Sequence, residues 1–281
     1  MAPCRGVWRY SPVAQLVEQV TVNHRVGGSS PSRGAIFLLA VRNLIHKALA
    51  PQIFCEDRYR LLRLPAPVTT IPYSSPTAIL ASLPALRAEI LRALDRFAAV
   101  PREKWFREVL VCVMTPQSSP YRAEAAMVVL EERGFFAGAL SHDEVADILR
   151  NSAHYVRFHR VKAARLLRAL ESRDAVERIL DGALPPLEER DQLRRLVLGL
   201  GMKEASHALR NIGRRGLAIL DRHILRVLLE CGLLASVPRS IGDARYREIE
   251  RIFISFAYDL GESPDVLDLY LWARATGSVF K

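Results

Sequence analysis

Gly199-Leu200-Gly201-Met202-Lys203 is the stretch on which the reading of this sequence turns. An amphipathic helical pattern ends before it at Leu198, and a new helical pattern opens at Lys203. Two glycines flanking one apolar residue permit a tight turn with positive φ and let backbone approach a ligand closely. Leu200 is placed to plug back between the two helices and hold them as a hairpin. The first amides of the second helix have no intrahelical partner, and the helix dipole reinforces them, so this end favours a phosphate. The pattern predicts a helix–hairpin–helix, a grip on DNA backbone that does not read bases. Gly-x-Gly between helices also suits a plain turn, so the hairpin alone does not decide the matter.

Lys203 narrows the choice. A cation in the first turn opposes the positive end of the helix dipole, which favours loss of its proton, as a nucleophilic amine requires. The alternative is a surface lysine that binds phosphate. Asp221 follows in Ile219-Leu220-Asp221-Arg222-His223-Ile224-Leu225. It is placed to N-cap a helix over 222–230. It is also placed to face Lys203, take up its proton and stabilise positive charge developing on a sugar.

Outward from the hairpin, the pattern is helical. Leu86, Ile90, Leu91 and Leu94 share one face, and a second helix through Trp105, Val109, Cys112 and Val113 stops near Thr115-Pro116. Further segments are expected around 121–133, 143–149, 159–170, 186–198, 203–211, 221–230, 244–257 and 264–275. No sustained strand alternation interrupts them, so the fold class is all-α, with a functional unit over 81–281. Residues 1–80 read differently. The run from Pro12 to Arg33 resembles the conceptual translation of a transfer-RNA gene, and residues 34–80 are broken by Pro51, Pro65, Pro67, Pro72 and Pro76. This part is expected to be a non-domain extension.

The net charge of +10 invites a polyanion, but residues 1–80 hold nine Lys+Arg against three Asp+Glu, so much of the excess lies outside the helical part. The local run Arg150, Arg157, Arg160, Lys162, Arg165 and Arg168 carries no acid and suits either a phosphate-tracking face or a solvated helix. The four cysteines are widely separated, which excludes a zinc finger or a close iron–sulfur ligand set. His207 and His223 are not spaced as a metal pair. No metal or cofactor is expected, and with no signal segment or membrane span evident the expected location is the cytoplasm.

The run Gly199 to Gly213, with Leu220-Asp221-Arg222-His223-Ile224-Leu225, resembles the helix–hairpin–helix DNA glycosylase superfamily. It is most similar to the second, archaeal-type family of 8-oxoguanine DNA glycosylase/AP lyases. Thr115-Pro116-Gln117-Ser118-Ser119 matches a further segment of that family, and Trp272, Thr276-Gly277 and Lys281 match its C-terminal element. The likeness spans about residues 86–281. It implies two helical subdomains with the active site between them. Lys203 would be the Schiff-base nucleophile and Asp221 its essential carboxylate. Pro116 and Gln117 would lie in the loop that probes the gap left by an extruded nucleotide, with Gly199 and Gly201 forming the DNA-gripping turn. Trp272 and the terminal carboxylate of Lys281 would form the base pocket. 8-Oxoguanine carries a hydrogen on N7 where guanine has an acceptor, so a pocket acceptor rewards the lesion. The partner implied is double-stranded DNA containing 8-oxoguanine, bound by a monomer and without a membrane. A glycosylase/lyase for another oxidised base and a non-catalytic DNA-binding module are the rivals.

Overall fold

The computed structural model describes residues 76–277 and Val279. Expectations about residues 1–75 and Lys281 fall outside these. Helical apolar spacing turns the described chain into α1 (Pro76–Ala98), α2 (Trp105–Met114), α3 (Pro120–Glu132), α4 (His142–Arg150), α5 (His159–Glu171) and α6 (Arg173–Asp181). It continues with α7 (Pro186–Leu196), α8 (Met202–Asn211), α9 (Arg222–Glu230), α10 (Asp243–Asp259) and α11 (Pro264–Thr276). The described residues contain no strand, and the protein is all-α. Helix starts follow local chemistry. Ser141 and Glu144 form a reciprocal capping box on α4, and prolines open α3, α7 and α11, where a missing N–H costs nothing.

Two boundaries and one helix differ from the sequence reading. Helix α1 begins at Pro76, five residues before the expected unit, because buried Ile79 and Leu83 hold it against the C-terminal helices. Helix α6 was not anticipated. It is nine residues long, rich in charge and separated from α5 by Ser172 alone, with Val176 and Leu180 as its buried anchors. Helix α7 stops at Leu196, where buried Val197 turns extended at φ −95° and ψ 108°.

Two apolar cores result. One gathers side chains of α2 to α7, including Leu110, Met127, Leu149 and Leu193. The other joins α1 to α9, α10 and α11 through Ile90, Leu228, Phe253 and Tyr270. The chain therefore closes on itself, its first described helix packing with its last. Helix α8 serves both cores, Ala205, Ala208 and Leu209 facing one and Met202 the other. Leu200 is 3% exposed and plugs the first core, as the hairpin reading required. Burying a leucine of this kind contributes about 2 kcal/mol.

Candidate active site

The cavity between the two cores draws on both. Thr115 and Ser118 come from the turn between α2 and α3, Pro120 from the start of α3, Lys203, His207 and Arg210 from α8, Ile219 and Asp221 from the segment that leads into α9, and Asp268 and Trp272 from α11. Of the residues anticipated, the structure brings Lys203, Asp221 and Trp272 into this one cavity. Pro116 and Gln117 sit on the adjoining turn, Gln117 exposed with φ 55°. Gly199 and Gly201 form the hairpin behind Lys203 rather than the cavity wall.

The two glycines have different reasons. Gly199 has φ 90°, and an added Cβ there would stand 2.5 Å from Cδ of Arg165. Gly201 has φ −79° and ψ 179°, an extended N-cap that any residue adopts. A Cβ there would lie 2.7 Å from Oε2 of Glu204, the movable end of a flexible side chain. The expectation of a positive φ thus holds for the first glycine only.

Lys203 is the second residue of α8, about a third exposed, with Glu204 Oε1 3.8 Å from its Nζ. Asp221 caps a helix and also lines the cavity. Its Oδ1 accepts the amides of His223 at 2.8 Å and Ile224 at 2.9 Å, capping α9, while the carboxylate lines the cavity. The segment that delivers it is held rigidly. Ala218 N–H donates to Glu250 at 3.1 Å, Tyr246 Oη donates to the Ala218 carbonyl at 2.7 Å, and Leu220 N–H donates to Tyr246 Oη at 3.2 Å. Glu250 is gripped in turn by Arg190 through two bonds of 2.5 and 2.9 Å. Burial pushes the Tyr246 phenol well above its ordinary range, so it stays a neutral donor.

Asp268 is the principal residue that sequence reasoning missed. It is buried beside Arg210, whose Nη1 donates to Oδ2 at 2.7 Å. Burial pushes its carboxyl up to about 7. Arg210 opposes that rise, while Asp221 and Asp265 add to it. Asp268 precedes Trp272 by one helical turn, and His207 and Arg210 follow Lys203 at the spacings that share a helix face. Those spacings were the available signals.

The basic run is split by the fold. Arg150, Arg157, Arg160 and Arg168 are exposed, but Lys162 is 1% exposed and is not part of any solvated face. Its Nζ donates to the carbonyls of Met114 at 2.6 Å and Pro116 at 2.7 Å, and to Ser118 Oγ at 3.1 Å. Buried Lys162 therefore clamps the Thr115–Ser119 turn from beneath. Burial lowers its ammonium to about 8, Arg165 lowers it further and Glu204 opposes. Beside the turn, Phe158 is 48% exposed with φ 60°, and the Arg157 guanidinium lies 4.9 Å from its ring centroid. Helical periodicity gave no hint that this aromatic faces out.

The described residues hold no group of three or more metal-ligating side chains, and no described helix is long and apolar enough to cross a membrane. The family model described as 8-oxoguanine DNA glycosylase matches residues 90–262. The chain belongs to the 8-oxoguanine DNA glycosylase family. An 8-oxoguanine DNA glycosylase/AP lyase of Saccharolobus islandicus is 33% identical to this glycosylase-family chain over 207 residues, 70% of this chain and 96% of the relative. The crystal structure of Methanocaldococcus jannaschii 8-oxoguanine DNA glycosylase superposes with a TM-score of 0.65 at 28% identity, covering 73% of this chain and 97% of that one. The Methanocaldococcus jannaschii glycosylase/lyase in complex with a 15mer DNA containing 8-oxoguanine gives 0.64 at 27% identity, covering 73% and 100%.

Proposed function

We propose that this chain is a base-excision-repair DNA glycosylase/AP lyase that removes 8-oxoguanine, with Lys203 as nucleophile and Asp221 as its carboxylate partner. The observation that carries the reading is the meeting of Lys203, Asp221 and Trp272 in one cavity between two helical cores, directly behind a Gly-Leu-Gly hairpin. The named activities of the relatives support it. The catalytic unit runs from α1 to the C-terminus and acts as a monomer on duplex DNA. Hairpin amides hold a backbone phosphate, Pro116 and Gln117 face the gap left by the flipped nucleotide, and Phe158 fills it.

Chemistry follows from the placement. With the damaged nucleotide in the cavity, the neutral Lys203 amine attacks C1′, the bond from C1′ to N9 breaks, and the base departs with the electron pair and takes up a proton. Asp221 stabilises the positive charge that builds on the sugar and accepts the proton that the new C1′ amine must lose. Its Oδ1 is committed to α9, so Oδ2 is the oxygen for this work. Ring opening gives an imine, which makes the C2′ hydrogen acidic. Loss of that proton expels the 3′ phosphate and nicks the strand. Trp272 stacks the base. Asp268 accepts an N–H from its edge.

The test incubates the full chain with a labelled duplex carrying one 8-oxoguanine and reduces with borohydride. A covalent adduct that disappears in Lys203→Ala is expected. Full nicking by Lys203→Ala would sink the assignment. Binding without adduct or base release would leave only a DNA-binding module, and an adduct confined to thymine glycol duplexes would change the substrate.

A further inference from the structure

A serine hydroxyl has one hydrogen to donate and two lone pairs to accept with. At Ser118 both lone pairs are taken, by the Arg157 backbone N–H at 2.9 Å and by Lys162 Nζ at 3.1 Å. Neither neighbour accepts in return, because an amide nitrogen and an ammonium are donors only. The Ser118 proton must therefore go elsewhere, and Ser118 lines the cavity that holds Lys203, Asp221 and Trp272. Lys162 is sealed beneath the turn with its other bonds on the Met114 and Pro116 carbonyls, so this polarity is built in rather than incidental.

We propose that Ser118 reads the flipped base, its hydroxyl donating to a purine carbonyl oxygen, with Lys162 and the Arg157 amide as the positioning groups that hold it as a donor. The inference rests on the glycosylase reading above and adds a specificity element to it. Opposite in polarity, Asp268 has acceptor capacity to spare, since Arg210 Nη1 is its one side-chain donor among the described residues. A donor and an acceptor in one cavity suit a purine that carries both C=O and N–H groups on its edges. Adenine has no carbonyl, so it would leave the Ser118 donor unmatched. The arrangement also has a pH limit. Lys162 is faced by Arg165 on its own helix and by Glu204 on α8, and it loses its proton near 8. The neutral amine has a lone pair of its own, can accept from Ser118, and would draw the hydroxyl out of the cavity.

The test uses the full chain in single turnover on two substrates, an 8-oxoguanine duplex and a pre-formed abasic duplex that has no base to read. In Ser118→Ala, excision is expected to fall about tenfold relative to abasic nicking, the scale of one lost hydrogen bond with an unmatched acceptor. Ser118→Thr, which keeps a hydroxyl, restores the ratio. Between pH 7 and 9.5 the ratio falls in the parent protein and stays level in Ser118→Ala. An equal fall on both substrates, or none on either, overturns the proposal and leaves Ser118 as a loop-holding residue. A parent protein that nicks the abasic duplex yet releases no 8-oxoguanine overturns the substrate assignment instead.

Discussion

Arg190–Glu250 and Arg210–Asp268 are the same chemical pair, both buried and both touching α8, yet they are finished differently. Glu250 accepts three N–H groups, two from Arg190 and one from Ala218. Arg190 also donates to Ser206 at 3.1 Å. The carboxylate of that pair is closed, away from the cavity, and its bond to Ala218 fixes the segment leading to Asp221. Asp268 accepts one N–H from Arg210 and lies on the cavity wall. A buried carboxylate with most of its lone pairs unspent is costly unless a ligand supplies donors. The closed pair therefore holds structure, and the open pair leaves acceptor capacity facing the cavity.

The comparison breaks most visibly at Glu250. Glu250→Gln is expected to lower unfolding free energy by about 3–5 kcal/mol in urea titration, because buried Arg190 loses its counter-charge and an amide NH2 replaces one of the two oxygens that both accept N–H groups. A loss below about 1 kcal/mol would show that this pair is no more structural than the other. Asp268→Asn should invert the pattern. It keeps an oxygen for Arg210, so stability should fall by only about 1–2 kcal/mol. Excision of 8-oxoguanine should fall about ten- to a hundredfold, the cost of one bond to a charged acceptor.

The pH dependence sharpens the contrast. The Asp268 carboxyl is raised from 3.8 to about 7 in the folded protein. Between these values the folded state binds more protons than the unfolded state, so this group's contribution to stability declines as pH rises from about 4 to 7. Urea titrations at pH 5 and 7.5 should show that decline flattened in Asp268→Asn. The smallest effect belongs to Lys162, a buried cation that donates to two carbonyls and a hydroxyl. Lowered from 10.5 to about 8, it makes the unfolded state the stronger proton binder between those values, so its contribution grows as pH rises through them. Lys162→Met should remove that rise, read as Tm against pH. An unchanged profile would mean that the ammonium is not sealed beneath the Thr115–Ser119 turn.

Much of the fold was written in local spacing. The hairpin, the start of α8 at Met202–Lys203 and the capping role of Asp221 follow from residues within a turn or two of one another, where backbone geometry alone sets the neighbours. The shared face of Lys203, His207 and Arg210 follows from the same period. Helix α6 escaped because nine charge-rich residues carry too short an apolar period to read.

By itself, then, the sequence determined that the unit over 81–281 is helical, where the hairpin turns, and that Lys203 and Asp221 stand at the heads of α8 and α9. Tertiary structure alone decided that Asp268 and Trp272 would meet Lys203 across the cavity, that Lys162 would leave a basic run to hold the Ser118 turn, and that one arginine–carboxylate pair would be closed and the other open. The reason is physical. Helical period and capping are properties of neighbouring residues, whereas burial, the shift of a carboxyl and the direction of a hydroxyl depend on which distant groups the packing brings alongside.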